Sequence, residues 1–304
     1  MRNRQSRLLD LQLAQLEAQI KAPPMAPHPG SAHIVVACAK GGTGKTTTAA
    51  MLGLQLAELR GEITVVVDAN PHLGTLRQRL VPLTQRPPES FVRMCEAAEA
   101  GELAPEWSLL APYTEMNGRL RMMSNVTADP SEVEGLASET YDAGIALLRR
   151  AAQIVISDMG TSTTGDVALA ALESSTTLVI ATELSQDALE LTVEMTSALC
   201  GQAMTQRVST DQWSPISDDR FLDRVSKAVV VVAPSRDDRD PRDLTGYLDW
   251  FRKVCQGGVF QIPRDRHLAA ANIIIPSALE PSTTAAFMAA TAAVAGQFRA
   301  PSLV

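Results

Sequence analysis

From His33 onward, short β-branched runs alternate with longer helical stretches. The runs are Ile34-Val35-Val36, Ile63-Thr64-Val65-Val66-Val67, Ile154-Val155-Ile156, Thr177-Leu178-Val179-Ile180 and Val229-Val230-Val231-Val232. Each is apolar at successive positions, so both faces of the strand must be covered. Strands of this kind separated by helices predict an α/β fold: a doubly wound, mostly parallel sheet with helices on both faces. Leu120-Arg121-Met122-Met123 and Val259-Phe260-Gln261-Ile262 are expected to add further strands, and Thr283 to Phe298 a C-terminal helix. Residues 82–118 and 206–220, rich in Pro, Ser, Glu and Asp around a short helical stretch from Phe91 to Ala100, read as surface insertions.

The first 22 residues have another rhythm. Leu9, Leu13, Leu16 and Ile20 form one helical stripe, which predicts an amphipathic helix over residues 1–22. A Pro-rich linker at 23–30 cannot continue it, and the main domain runs over 31–304. A helix this short is marginal alone and has to dock. Its own domain, a second copy or partner protein, and a membrane surface are the three candidates. Arg2, Arg4 and Arg7 suit a membrane, whereas Asp10 and Glu17 oppose it.

Composition narrows the classes. With 304 residues, 45% of them hydrophobic, the chain buries a large core, which excludes disorder and a disulfide-stapled scaffold. A net charge of −7 argues against a surface built wholly for nucleic acid, although a local arginine patch remains compatible with it. Cys38, Cys95, Cys200 and Cys255 lie far apart without a C-x-x-C pair, as expected for reduced thiols in a cytoplasmic protein. No apolar run is long enough to span a membrane. Only five of the 27 basic residues are lysines, and two of those, Lys40 and Lys45, share one glycine-rich stretch.

That stretch is Ala39-Lys40-Gly41-Gly42-Thr43-Gly44-Lys45-Thr46-Thr47, between the first strand and a helix-forming segment. A strand, a glycine-rich turn and a helix N-terminus direct several backbone N–H groups and a positive dipole end at one anion. The order is that of a triphosphate cradle: Lys45 is suited to bridging the terminal phosphates, and the Thr46 hydroxyl to ligating Mg2+. At the end of the second strand Asp68 points into the same crevice, placed to bind Mg2+ through water or to orient Thr46.

KGGTGKTT resembles the deviant Walker A motif of the ParA/MinD superfamily of P-loop ATPases, the SIMIBI class. The resemblance covers residues from about 31 to 298, and the wording around Asp68 is similar to actinobacterial MinD-like ATPases, some linked to type VII secretion. It implies ATP with Mg2+ as cofactors and a homodimer formed on ATP binding, with Lys40 reaching the nucleotide of the other subunit. Asp68-Ala69-Asn70-Pro71 resembles switch I, where the family often has an aspartate at the place of Asn70. An asparagine orients water but is a far weaker base, so slow or partner-stimulated hydrolysis is expected. Ile154-Val155-Ile156-Ser157-Asp158-Met159-Gly160 resembles Walker B entering switch II: Asp158 would support the metal and the Gly160 N–H would sense phosphate. A plain turn-capping role for Asp158 is the alternative.

Two strand ends complete the expected pocket. After Val232 no asparagine stands where relatives read adenine, and Ile262-Pro263-Arg264-Asp265 resembles the segment against the base, with Pro263 stacking and Asp265 accepting from an amine. A turn without ligand contacts is the alternative there. The resemblance implies an ATP-driven positioning, partitioning or secretion-associated switch. Its partner would be a protein recruited through the N-terminal helix, or nonspecific DNA held by Arg220, Arg224, Arg242 and Arg252. A membrane surface is less favoured, and a nucleotide-binding regulator with little turnover is a third class.

Overall fold

The protein is described by a computed structural model over residues 2–22, 32–70, 74–82, 89–125, 136–160, 165–201, 219–235 and 244–298, without the side chains of residues 2–6. The expected linker at 23–30 lies outside the described residues, as does nearly all of the 206–220 segment. The strands are β1 (Ala32–Ala37), β2 (Thr64–Ala69), β3 (Glu115–Asn117), β4 (Leu120–Met123), β5 (Ile154–Met159), β6 (Thr177–Glu183), β7 (Val229–Ala233) and β8 (Val259–Gln261). Helices α1 (Arg2–Lys21), α2 (Lys45–Arg60), α3 (Leu76–Leu80), α4 (Phe91–Glu99), α5 (Trp107–Leu110) and α6 (Ser138–Ala151) fall in the first half. The second half holds α7 (Asp166–Ser174), α8 (Gln186–Leu199), α9 (Leu222–Ser226), α10 (Thr245–Val254), α11 (Arg266–Ala269) and α12 (Pro281–Ala295).

The strands form one sheet in the order β3-β4-β2-β5-β1-β6-β7-β8. Every pairing is parallel except that of β3 with β4. β1 therefore sits in the interior of the sheet, between β5 and β6, and the loop at its C-terminal end opens into the crevice of a doubly wound sheet. Alternation along β1 divides the core. Ile34 and Val36 pack with α2 and α12, whereas Val35 and Ala37 pack with the cluster built on Phe91, Tyr141, Ile145 and Phe251. Both faces are thus sealed, which is why the strands carry so few polar residues.

One exception is a buried polar cluster beneath α6 and α7. His33 Nε2 lies 3.0 Å from Ser157 Oγ, which is 2.8 Å from the Tyr141 hydroxyl, and Ser174 Oγ lies 3.3 Å from His33 Nδ1. Burial, with the nearby Arg149 charge, pushes His33 down to about 3 and keeps the ring neutral.

The N-terminal stripe finds its partner within the chain. α1 packs along α12 and touches α2, burying Ile20 completely and Leu13 and Leu16 in part, while the Ile20 carbonyl accepts a 2.6 Å hydrogen bond from Arg60 Nη1. Burying one isoleucine side chain stabilises by about 1.5–3 kcal/mol, enough to hold a helix that would fray alone. Leu8 and Leu11 remain exposed on its outer side.

Two expectations are corrected here. The segment after residue 89 is part of the body of the fold: Phe91, Met94 and Cys95 are fully buried, and α4 lies against α6. The C-terminal helix begins at Pro281 and ends at Ala295, since proline is favoured in a first turn where its missing N–H costs nothing.

Candidate functional site

Beyond β1 the chain curls through residues 39–44 and enters α2 at Lys45. Gly42 (φ 84°) and Gly44 (φ 85°) adopt left-handed backbone that side-chain-bearing residues rarely take. A Cβ on Gly44 would also meet the Ala233 methyl at 3.1 Å. The Thr43 hydroxyl donates to the Lys40 carbonyl at 3.1 Å and pins the turn from within. The result is a ring of backbone amides at the positive end of a 16-residue helix.

Beneath this turn lie three charges. Lys45 Nζ is 2.5 Å from Asp158 Oδ1, and both side chains are nearly inaccessible, at 10% and 1% exposure. Asp68 stands level with Asp158 on the neighbouring strand and is fully buried. Burial, then the adjacent Asp158 charge, push its carboxyl up to about 7 against the opposing pull of Lys45. Its Oδ1 accepts the Asn70 N–H at 3.2 Å, whereas Oδ2 has no hydrogen-bond partner. An orphaned buried carboxylate oxygen is costly unless something else binds it, and a divalent cation does so. Gly74 makes room: a Cβ there would lie 1.8 Å from Asp68 Oδ2. Thr75 brings its hydroxyl to 3.5 Å from that of Thr46 at the same place. Two carboxylates and a threonine hydroxyl are the hard oxygen donors Mg2+ prefers, so the residues fit that ion.

A cleft of about 820 Å³ opens from this point. Gly41, Gly42, Gly44, Lys45, Thr46, Thr47 and Asn70 line its inner end, and Ala233, Pro234, Ser235, Pro263, Arg264 and Asp265 line the outer one. Both walls arise from topology, since the loops after β1, β2, β7 and β8 all leave the same edge of the parallel sheet. Gly160 closes β5 directly after Asp158 and Met159, and residues 161–164 beyond it lie outside the described residues, as do 71–73 of the segment after Asn70.

Two predicted residues are engaged in ways the sequence did not suggest. Asp265 caps α11: Oδ1 accepts the His267 and Leu268 N–H groups at 2.8 and 3.1 Å, and Oδ2 accepts that of Glu280 at 2.9 Å. Burial would raise its carboxyl, but those backbone bonds outweigh it and hold the group below its usual range. Its observed work is to shape the outer wall. Lys40, at the rim, forms an ion pair with Asp187 in the first turn of α8, and that contact, together with Ser185, lowers the Asp187 carboxyl.

Gly74 and Arg79 belong to this site but carry no sequence signal. Gly74 is one of 18 glycines, and Arg79 lies in an ordinary polar stretch beside Arg77. Among the described residues no cluster of three His, Cys, Asp or Glu is arranged to hold a metal ion, and no helix is long and apolar enough to cross a membrane.

Known proteins share this fold. The ParA family ATPase of Chlorobium tepidum superposes with a TM-score of 0.59 at 18% identity, over 85% of this chain and 90% of its own. The MinD cell division ATPase of Pyrococcus furiosus gives 0.57 at 18% identity, over 87% and 98%. An ATP complex of McdA from Cyanothece gives 0.57 at 18% identity, over 87% and 96%. In sequence, the ESX-1 secretion-associated protein EspI of Mycobacterium tuberculosis is 25% identical over 261 residues, which are 83% of this chain. The chain spans about a third of that relative's length, 34% of it being matched. Residues 34–199, more than half of the chain, match the family described as the CobQ/CobB/MinD/ParA nucleotide binding domain, and the protein belongs to that family.

Proposed function

We propose that this chain is an ATP-dependent dimerising switch of the ParA/MinD type that binds ATP with Mg2+ in the cleft and hydrolyses it slowly. The buried Lys45–Asp158 pair beside Asp68 supports this role above all else. Two carboxylates share one ammonium group in a site of low polarity, an arrangement that favours arrival of phosphate and a cation together.

Each residue has its own share of the work. The amides of residues 41–47 and the α2 dipole hold the phosphates. Lys45 would pair with phosphate oxygens, and Asp158 and Asp68 would hold the cation with Thr46. Mg2+, when bound, supplies charge neutralisation on the phosphates. Gly160 presents its N–H beside Asp158. Pro263 offers a flat apolar face to the base, and Asp265 keeps that wall in place. Asn70 orients water without drawing off its proton, which keeps turnover low until a partner contributes.

Lys40 stands at the rim, where a second subunit would meet it. A positive charge delivered across that interface ties dimerisation to nucleotide. As the dimer's partner a protein is favoured over DNA. Arg220 pairs with Glu173 and lies over the Phe221 ring, Arg224 hydrogen-bonds the Ser175 and Glu173 carbonyls, and Arg252 pairs with Asp249, so each of these three is already engaged by an acceptor within the chain. Arg242 lies outside the described residues. The mycobacterial relative described as secretion-associated points to the same protein-directed class.

Sedimentation of the wild type and Lys40→Ala with and without Mg2+ and ATP tests the switch. The expected result is nucleotide binding by both and an ATP-dependent dimer for the wild type alone. Equal dimerisation by both would remove Lys40 from the interface, and absence of nucleotide binding by the wild type would overturn the function.

A further inference from the structure

Arg79 is a charged side chain that joins the two ends of the cleft, and neither strand ends nor glycine spacing accounts for it. It projects from α3, a five-residue helix that starts just after Gly74 and Thr75. That helix is held firmly: Arg77 makes two 2.8 Å bonds to the Glu115 carboxylate of β3, and Asn117 Nδ2 donates to the Leu80 carbonyl at 2.7 Å. From this anchored base Arg79, only 6% exposed, reaches into the cleft wall. Nη2 donates to Thr47 Oγ1 at 3.0 Å and to the Leu268 carbonyl at 3.3 Å, and Nη1 donates to the Asn272 carbonyl at 3.1 Å. Between those carbonyls Ala271 adopts left-handed backbone (φ 55°), a conformation an alanine keeps only when its neighbours hold it.

The bond to Thr47 has a directional consequence. A hydroxyl has a single hydrogen to give. Because the Thr47 oxygen accepts from Arg79, and the hydroxyl has no other hydrogen-bond partner among the described residues, its hydrogen is left for the cleft that Thr47 lines. The guanidinium adds a buried positive charge at the same spot, and its Nε has no partner. Burial pulls the guanidinium below its usual range, so an anion close by would restore what desolvation takes away.

We propose that Arg79 is a positioning residue for nucleotide binding. It turns the Thr47 hydroxyl into a committed donor to a phosphate oxygen. This rests on the cleft being a nucleotide site, as proposed above.

The test is a double-mutant cycle on the full chain, read as the Kd for a fluorescent ADP in the presence of Mg2+. Arg79→Met and Thr47→Val should each weaken binding roughly tenfold, the loss of one hydrogen bond to a charged group. Because one residue acts through the other, the double variant should also lose roughly tenfold rather than a hundredfold. A residue that merely stabilises the fold would give losses that multiply. Arg79→Gln, shorter and neutral, runs the same cycle should the methionine variant fail to fold. Wild-type affinity in either folded Arg79 variant, or multiplying losses in the cycle, would overturn the assignment. Failure of the unaltered protein to bind the ADP probe would instead overturn the nucleotide site itself.

Discussion

Releasing Lys40 from its intramolecular partner should strengthen the nucleotide-dependent dimer. In the isolated chain Lys40 pairs with Asp187, and the two side chains are 44% and 63% exposed. A pair this open contributes only about 0.2–1 kcal/mol. A symmetric dimer that uses Lys40 from each subunit has to break two such pairs, about 0.4–2 kcal/mol in total. Asp187→Asn should therefore lower the dimer Kd by about 2- to 30-fold. Sedimentation velocity with a non-hydrolysable ATP analogue at about 50 mM salt would show it, and the gain should shrink at higher salt as the original pair is screened. Lys40→Ala serves as the control, because Asp187→Asn should do nothing in its background. Weaker dimerisation of Asp187→Asn would refute the reasoning and place Asp187 itself in the interface, and so would a gain that persists without Lys40.

Three further outcomes are expected. Gly74→Ala drives a methyl into Asp68, where the Cβ has only 1.8 Å. Mg2+ titration of nucleotide binding should show affinity for the metal about 10- to 100-fold weaker, and unchanged affinity would mean Asp68 does not serve it. His33 should make stability fall with acid. The unfolded imidazole takes up a proton below about 6.5 while the folded one stays neutral to about 3, so between those values the unfolded state binds more protons. Denaturant midpoints should show up to about 1.4 kcal/mol lost per pH unit there, and His33→Gln should flatten that slope. Asn70→Asp should raise ATP turnover measured as phosphate release; an unchanged rate would show that another group governs the attacking water.

Much of this is legible in the chain. Five apolar runs and two weaker ones mark seven of the strands, because a sheet covered on both faces leaves a signature at every position. The eighth strand, Glu115–Asn117, is not legible: it is an antiparallel edge of three half-exposed or exposed residues, held by a turn and by the Arg77–Glu115 contact. The stretch around Phe91 reads as decoration because its flanks are polar, although Ser90 caps the helix and Phe91, Met94 and Cys95 face inward. In the site, the glycines and Lys45 announce themselves by spacing. Arg79 matters only through contacts with residues distant in sequence, such as Asn272; Gly74 matters through the room it leaves beside Asp68, which spacing alone does not reveal; and Asp265 is a carboxylate whose partners are backbone amides that any sequence would supply.

The docking of α1 places the leader at the far end of α2, away from the cleft. α2 begins with Lys45, which pairs with Asp158 at the cleft, and ends with Arg60, which grips the leader's last turn at Ile20. At about 1.5 Å per residue those ends are roughly 24 Å apart. A single rod thus runs from the cleft to the N-terminal helix, so a protein that seizes the leader by Leu8 and Leu11 would be pulling on the opposite tip of the lever that carries Lys45.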